Sequence, residues 1–483
     1  MILDQNKTPL FDAVKYHVQR NAIPLQIPGH KHGYGLKEYK EFVGENVLKM
    51  DLNETRGIDV IWDPIRVMAE AEKLLSTALG ANHAYFLING TTAGVQAMIM
   101  SSCTQDERII VPRNAHKSIF NGLILSGANP IYVQPEIDNY LGIVTSITPA
   151  GLQETISRCQ DAKAVMAINP SYYGIAPKLE SIVETAHSSG IPVLVDEAHG
   201  SHMCFHPHLP ISAMKAGADM SAASLHKTGG SMTQSSALLV GSSKINPNYI
   251  KQVLNLTYTS SPSYVLLCSL DVARKQLATN GRQMLDHVLE LVSKARREIN
   301  RIEGFFAPDK NYFEKDGKLS FDETKLLVSV QGLGLTGYEV EEILAKDYNI
   351  LIELADMYNI LAIISLGEKE EFLQSFVAAL QDIATQCKGK KINKIKPAHF
   401  SPEVVMSPRE AFFSKKRSVP LEQCPGKIAG EMVMVYPPGI PLVSMGEVIT
   451  ADIIDYVRML KAERCTIQGT IDPIVDNIMV LDR

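Results

Sequence analysis

Residues 191–200 read Ile191-Pro192-Val193-Leu194-Val195-Asp196-Glu197-Ala198-His199-Gly200, and residues 220–230 read Met220-Ser221-Ala222-Ala223-Ser224-Leu225-His226-Lys227-Thr228-Gly229-Gly230. Each stretch is a short apolar run that ends in charged, hydroxyl and glycine residues. Such a run suits a strand covered on both faces, as in parallel sheets flanked by helices. Open sheets of this kind bind ligands at the carboxyl ends of their strands. An acid closing a buried strand is costly unless a cation faces it, and a protonated pyridine nitrogen or a metal would supply one. A lysine beside a buried strand end is likewise costly as a cation. Burial lowers its pKa, which suits an amine that attacks a carbonyl carbon.

The same pattern extends in both directions from these stretches. Apolar runs recur at Ala84–Ile88, Arg108–Val111, Pro130–Val133, Ala164–Ile168, Ile191–Val195, Met220–Ala223 and Ala237–Val240. Helical spacing separates several of them, at Ala93–Ser101, Ser118–Ser126, Gly151–Cys159 and Leu179–Ser188. Strands alternating with helices predict an α/β domain built on a mainly parallel sheet. Three more strand ends carry polar turns. Asn89-Gly90-Thr91-Thr92-Ala93-Gly94 opens a helix, where small residues free N–H groups and hydroxyls to hold a phosphate. Arg113-Asn114-Ala115-His116-Lys117-Ser118 offers an imidazole that can stack on a flat ring or relay a proton. Asn169-Pro170-Ser171-Tyr172-Tyr173-Gly174 is a polar turn that can face a ligand.

The rest of the chain divides around this domain. Residues 1–62 read as an irregular arm, because Pro28-Gly29-His30-Lys31-His32-Gly33 continues neither helix nor strand. Asp63-Pro64 reads as a helix start, with Asp63 as N-cap, and Gly80 ends that helix. The large domain spans 63–305 and closes on a long amphipathic helix over Tyr264–Glu303. A small α/β domain follows at 306–387, with strands at Leu326–Val330, Ile350–Leu354 and Ile360–Ile364 and helices at Tyr338–Lys346 and Lys369–Gln386. Residues 388–483 form a linker and a C-terminal α+β segment. The linker is dense in lysine (Lys388, Lys390, Lys391, Lys394, Lys396) and reads as a solvated face or an anion patch.

Composition sets outer limits. The chain has 483 residues, 45% hydrophobic and 21% charged, which supports several globular domains. Its 47 Lys+Arg against 53 Asp+Glu give a net charge of −6, which argues against non-specific nucleic-acid binding. No apolar run approaches the roughly 20 residues that span a bilayer, and Met1–Leu10 lacks the apolar core of a signal peptide. Cys103, Cys159, Cys204, Cys268, Cys387, Cys424 and Cys465 form an odd set with no C-x-x-C pair. Unpaired thiols suit a reducing cytoplasm.

A phosphate cradle, a candidate ring stacker, a strand-end acid and a later lysine together match what pyridoxal 5′-phosphate demands. On these residues the chain resembles the Orn/Lys/Arg decarboxylases, a branch of the fold type I (aspartate aminotransferase-like) enzymes. The resemblance rests on P-G-H-K-H-G at 28–33, G-T-T-A-G at 90–94, R-N-A-H-K-S at 113–118 and N-P-S-Y-Y-G at 169–174. D-E-A-H-G at 196–200, S-L-H-K-T-G-G-S at 224–231 and Y-P-P-G-I-P at 436–441 complete it. Within the family the layout looks most like the shorter biosynthetic arginine decarboxylases of Gram-positive type. The resemblance implies a seven-stranded sheet domain, pyridoxal phosphate as cofactor, and Lys227 as the Schiff-base lysine. It implies Asp196 at the ring nitrogen, His116 stacked on the ring and Ala198 packed on its other face. Thr91, Thr92, Ser224 and His226 become the phosphate set, and His199 lies near the reacting carbon. The implied reaction is decarboxylation of a basic L-amino acid, arginine first, with lysine and ornithine as alternatives. A homodimer or dimer-based oligomer is implied as well, without the extra N-terminal domain of the large acid-induced members.

The chain departs from the family where many members carry an L-D-D-L-H-x-P-like segment. Here it reads Ile58-Asp59-Val60-Ile61-Trp62-Asp63-Pro64, with the only tryptophan in place of the histidine. Glu54, Asp59 and Glu431 are candidate partners for a cationic substrate tail. Rival readings remain. Gly332-Leu333-Gly334-Leu335-Thr336-Gly337 fits a dinucleotide motif, with Glu353 downstream, or a glycine-rich turn. His199, His202, Cys204, His206 and His208 form a zinc-type cluster or a polar loop. An aminotransferase and a non-catalytic cofactor-binding regulator are the functional alternatives.

Overall fold

The seven apolar runs form one sheet in the computed structural model, which describes residues 3–242, 244–386, 400–436, 440–463 and 465–482. In chain order the strands are β1 (His83–Leu87), β2 (Arg108–Pro112), β3 (Asn129–Val133), β4 (Ala164–Ile168), β5 (Val193–Glu197), β6 (Met220–Ala223) and β7 (Ser236–Val240). Their order across the sheet is β1-β7-β6-β5-β4-β2-β3. β2 runs parallel to both β3 and β4. β7 is the reversed strand, antiparallel to both β1 and β6. A parallel return needs a crossover of about a dozen residues or more, usually a full helix. Residues 224–235, which separate β6 from β7, just reach that length but hold only the single helical turn Leu225–Thr228 rather than a full helix, and the chain doubles back.

Each strand lies within two residues of its expected place. The largest shift is in β5, expected at Ile191–Val195 and found at Val193–Glu197. The strand carries two acids inward because one of them is fully bonded. Glu197 accepts the Ala213 N–H at 2.7 Å and the Ser221 hydroxyl at 2.8 Å.

The described chain divides into two compact units. One comprises Ser102–Leu194, His287–Ile364 and Glu368–Arg483. It contains a three-stranded antiparallel sheet in which Asn359–Ile363 lies between Lys325–Ser329 and Leu354–Ala355. The strand expected at Ile350–Leu354 is thus reduced to Leu354–Ala355. Helices Gly337–Asp347 and Glu370–Gln386 pack Val340, Leu344, Leu373, Phe376 and Leu380 on this sheet. A separate core at the C-terminal end gathers Val433, Val443, Ile453, Val457, Ile478 and Val480 from strands and the helix Ala451–Ala462. The glycine-rich segment 332–337 is a turn. Thr336 and Glu339 form a capping box on the helix Gly337–Asp347. A Cβ on Gly337 would stand 2.2 Å from the Asn359 carbonyl oxygen, so close packing explains that glycine.

The other unit comprises Met1–Ser101, Val195–Asp286 and Ser365–Gly367. Its arm is irregular at 20–36, including the stretch 28–33, and at 51–62, but contains helices at Pro9–Gln19, Lys37–Val43 and Glu45–Met50. The first is held by a partner remote in sequence. Asp271 accepts the N–H groups of Leu10 (3.0 Å) and Phe11 (3.3 Å). Arg274 bonds Asp271 (2.6 Å) and donates to the carbonyls of Gln5 (2.8 Å) and Lys7 (2.6 Å). The next helix, α1 (Val67–Ala78), starts later than Asp63-Pro64 suggests. Its cap is Asp59, whose Oδ2 accepts the N–H groups of Arg66 (2.5 Å) and Met68 (3.0 Å). Gly80, in the left-handed region at φ +73°, ends the run as expected.

Glu72 on α1 is buried and accepts the Phe86 N–H at 2.9 Å. Burial pushes its carboxyl up to about 8. A carboxyl raised in the folded state binds its proton more tightly there than in the unfolded chain. Its favourable contribution is therefore complete below the ordinary value of 4.5 and is lost as pH rises through about 8. Thermal melts of Glu72→Gln should match the parent below pH 4.5, exceed it increasingly between pH 4.5 and about 8, and keep a constant excess above that. A constant difference at every pH would contradict the assignment.

Candidate active site

The helix α2 (Gly90–Ser102) begins where β1 ends. Gly90 takes φ +67°, a left-handed value, and its N–H donates to the Gln234 carbonyl at 2.9 Å. A Cβ there would meet nothing within 4 Å, so the helix start is open. One turn later Gly94 lets the helix press on β6, since a Cβ would stand 2.9 Å from that of Ala222. The first N–H groups of a helix lack intrahelical partners and favour an anion.

Three hydroxyls gather at this point. The buried Thr91 hydroxyl bonds to Ser224 Oγ and lies 3.3 Å from Ser236 Oγ, which is 3.5 Å from Ser224 Oγ. Thr92 is half-buried beside them. Ser236 opens its strand, whereas the residues that the sequence marks as ligand-facing follow strands. β7 is reversed, so its beginning reaches the site. The signal was the Ser235-Ser236 pair opening an apolar run. Hydroxyls gathered at an open helix start fit a phosphate.

The helical turn α3 (Leu225–Thr228) follows β6 and carries His226 and Lys227. Lys227 Nζ lies 2.9 Å from His199 Nε2. Asp196 is buried at the end of β5, and its Oδ1 accepts the Ala198 N–H at 3.2 Å. Ala198 is half-buried and His199 buried. The structure thus brings Thr91, Ser224, Asp196, Ala198, His199 and Lys227 onto three neighbouring connections of one unit. An amine beside an imidazole, a buried carboxylate and a cluster of hydroxyls at a helix start fit the donor set that pyridoxal phosphate requires.

His116 belongs to the other unit and is described there. It is exposed, and its Nδ1 accepts the Ser118 N–H at 3.2 Å, capping the helix α4 (Lys117–Ser126). Three residues earlier, buried Arg113 makes a two-pronged pair with Glu447 at 2.5 and 2.8 Å and donates to the Leu442 carbonyl at 3.2 Å. The C-terminal core therefore anchors the loop that presents His116. The turn at 169–174 is anchored by Tyr173 to Asp356 (2.7 Å) and by Tyr172 to Glu353. Glu353 thus has a partner of its own, which leaves the dinucleotide reading without its acid.

Two proposed tail-binding acids serve other ends. Asp59 caps α1, and Glu431 accepts the N–H groups of Ile471 and Met479, each at 2.8 Å. Glu54 is exposed. Among the described residues, no group of three His, Cys, Asp or Glu side chains is arranged to hold a metal. In the former cluster His206 pairs with Asp286 at 2.9 Å. Pro437–Gly439 and the lysines at 388–396 lie outside the described residues. No helix among the described residues is long and apolar enough to cross a membrane.

Comparison with known proteins agrees with the geometry. The family model "Orn/Lys/Arg decarboxylase, major domain" matches residues 8–372, and the corresponding C-terminal domain model matches 391–469. The chain is 43% identical to the arginine decarboxylase of Bacillus anthracis over 483 residues, covering 99% of this chain and 98% of that one. It is 42% identical to the arginine decarboxylase of Bacillus subtilis (strain 168), covering 99% of each. In fold it resembles the crystal structure of a Francisella novicida lysine decarboxylase, with a TM-score of 0.83 at 22% identity, covering 98% of this chain and 81% of that one.

His226 offers a direct test of the cradle. Burial lowers its pKa, and Nδ1 lies 2.9 Å from the Ser235 carbonyl. A carbonyl only accepts, so Nδ1 carries the proton and Nε2 donates only when the ring is charged. A phosphate beside it favours the charged ring. The His226 titration, followed by NMR, should move upward on adding inorganic phosphate, and phosphate binding should weaken as pH rises through that new value. A titration unmoved by phosphate would separate His226 from the cradle.

Proposed function

This chain belongs to the Orn/Lys/Arg decarboxylase family, and from that membership we propose that it converts L-arginine to agmatine and carbon dioxide. This is a step of polyamine biosynthesis. Near-complete coverage of two arginine decarboxylases at more than 40% identity is the observation that carries the choice of arginine over lysine and ornithine.

Pyridoxal phosphate, when bound, supplies an electron-withdrawing ring that stabilises the charge left at the α-carbon as the carboxylate departs. The residues of this chain would do the rest. Lys227 is the anchoring amine. Thr91, Thr92, Ser224 and His226 hold the phosphate together with the start of α2. Asp196 would pair with the ring nitrogen, the cationic partner that a buried carboxylate needs. By the family resemblance, Ala198 and His116 are the residues that would pack against the ring. The contact between Lys227 Nζ and His199 Nε2 supports proton exchange between them, and either is a candidate to return a proton to the α-carbon.

The assembly is a homodimer or a larger dimer-based form, and the compartment is the cytoplasm. The N-terminal arm supports the first reading, because Ile23, Leu25 and Phe42 are 82%, 90% and 91% exposed. Large apolar side chains this exposed suit a surface that a second copy would cover. The described cysteines are all free, which supports the second.

The test supplies arginine, lysine and ornithine separately to the loaded enzyme and measures carbon dioxide and amine. Agmatine should form fastest, with cadaverine and putrescine slower by about tenfold or more. Conversion of an added keto acid without carbon dioxide would identify an aminotransferase instead. No product from any of the three would contradict the assignment.

A further inference from the structure

One buried hydroxyl joins the loop that carries Asp196 and His199 to the turn that carries Lys227. Ser201 Oγ donates to the Ser224 carbonyl at 3.0 Å and lies 2.9 Å from Thr228 Oγ1. Ser201, Ser224 and Thr228 are 2%, 1% and 2% exposed. The Ser224 carbonyl opens the turn, where the Lys227 N–H approaches it at 3.4 Å, and Thr228 closes it. Ser201 therefore grips both ends of α3, with Lys227 between them.

The protons fix the direction of these bonds. Ser201 has one hydroxyl proton, and the Ser224 carbonyl can only accept it. Thr228 must then donate to Ser201. The fit is close on the next residue as well. A Cβ on Gly229 would stand 3.2 Å from Ser201 Oγ and 2.9 Å from the Leu225 carbonyl oxygen.

We propose that Ser201, with Thr228 as its donor, is a positioning residue that sets the separation of Lys227 Nζ from His199 Nε2. It touches neither group. It acts by holding the two backbone segments in register, so that the amine is presented with its proton shared toward the imidazole. The proposal rests on the reading of Lys227 as the anchoring amine. Removing the Ser201 hydroxyl strands the Thr228 donor in the interior and takes one bond from the Ser224 carbonyl, whereas Thr228→Val removes one donor and leaves Ser201 bonded to the carbonyl. Ser201→Ala should therefore have the larger effect.

The experiment uses Ser201→Ala, Thr228→Val and Thr228→Ser, each loaded with pyridoxal phosphate. It records the pH midpoint of the visible absorbance, borohydride trapping at Lys227, the kcat and KM for arginine, and the thermal midpoint. Ser201→Ala should move the absorbance midpoint by about half a pH unit or more and lower kcat about tenfold, with KM within about twofold of the parent. Thr228→Val should shift the same quantities less, and Thr228→Ser should restore them. An unmoved absorbance midpoint and unchanged kcat in Ser201→Ala, whatever its loss of thermal stability, would overturn the proposal. Should Ser201→Ala fail to fold, the threonine pair decides. A midpoint moved by valine and restored by serine supports the proposal, and identical midpoints overturn it. Absence of trapping at Lys227 in the parent enzyme is a distinct result that overturns the parent reading and the proposal with it.

Discussion

Lys227 Nζ and His199 Nε2 stand 2.9 Å apart, and a hydrogen bond at that distance needs a lone pair on one of them. The pair therefore carries at most one positive charge. Much of the surrounding structure enforces this contact. β5 and β6 are buried along their lengths, so the polar groups at their ends have little water to retreat to. Glu197 is held by Ala213 and Ser221, leaving Asp196 as the strand-end acid that needs a cation. The reversed β7 returns Ser235 and Ser236 to the same end of the sheet, which completes a hydroxyl cluster that a parallel strand would have placed elsewhere.

Buried charge recurs at the points that fix long-range geometry. Arg113 and Glu447 are both nearly inaccessible, with the guanidinium 4.6 Å from the Tyr132 ring centre. The Glu447 carboxylate also accepts the Ser444 N–H at 2.6 Å. Such a pair gains little net stability over apolar packing, but breaking it leaves an unpaired buried charge at a cost of about 3–5 kcal/mol. Its consequence is therefore geometric, tying the His116 loop to the C-terminal core. Asp271 and Arg274 do the same for the first helix of the arm, using backbone groups of residues 5–11 as partners.

The strands were legible in the sequence because both faces of the sheet are covered, which makes each strand a continuous apolar run. The cofactor-type constellation was legible because each of its residues follows such a run. What escaped depends on partners distant in sequence. The helix Pro9–Gln19 carries the local start signal Thr8-Pro9, but Thr8 makes no side-chain cap bond and the cap comes from Asp271, about 260 positions away. Asp59 looked like a substrate partner because an unpaired acid invites that reading; only the fold reveals the Arg66 and Met68 N–H groups it accepts. Ser236 and Ser201 were missed for a related reason. A serine inside a common polar stretch acquires meaning only when a reversed strand or a single helical turn lies against it.

The central claim is that Lys227 is the amine that holds the cofactor. The described chain also contains a lysine buried more deeply than Lys227. Lys325 is fully buried, and its pKa is lowered by that burial despite Asp322 at 3.7 Å. Borohydride reduction of the loaded enzyme followed by peptide mapping distinguishes the two. The pyridoxyl label should fall on the peptide containing Lys227 and be absent from Lys227→Ala. A label on Lys325, or one that survives loss of Lys227, would contradict the account.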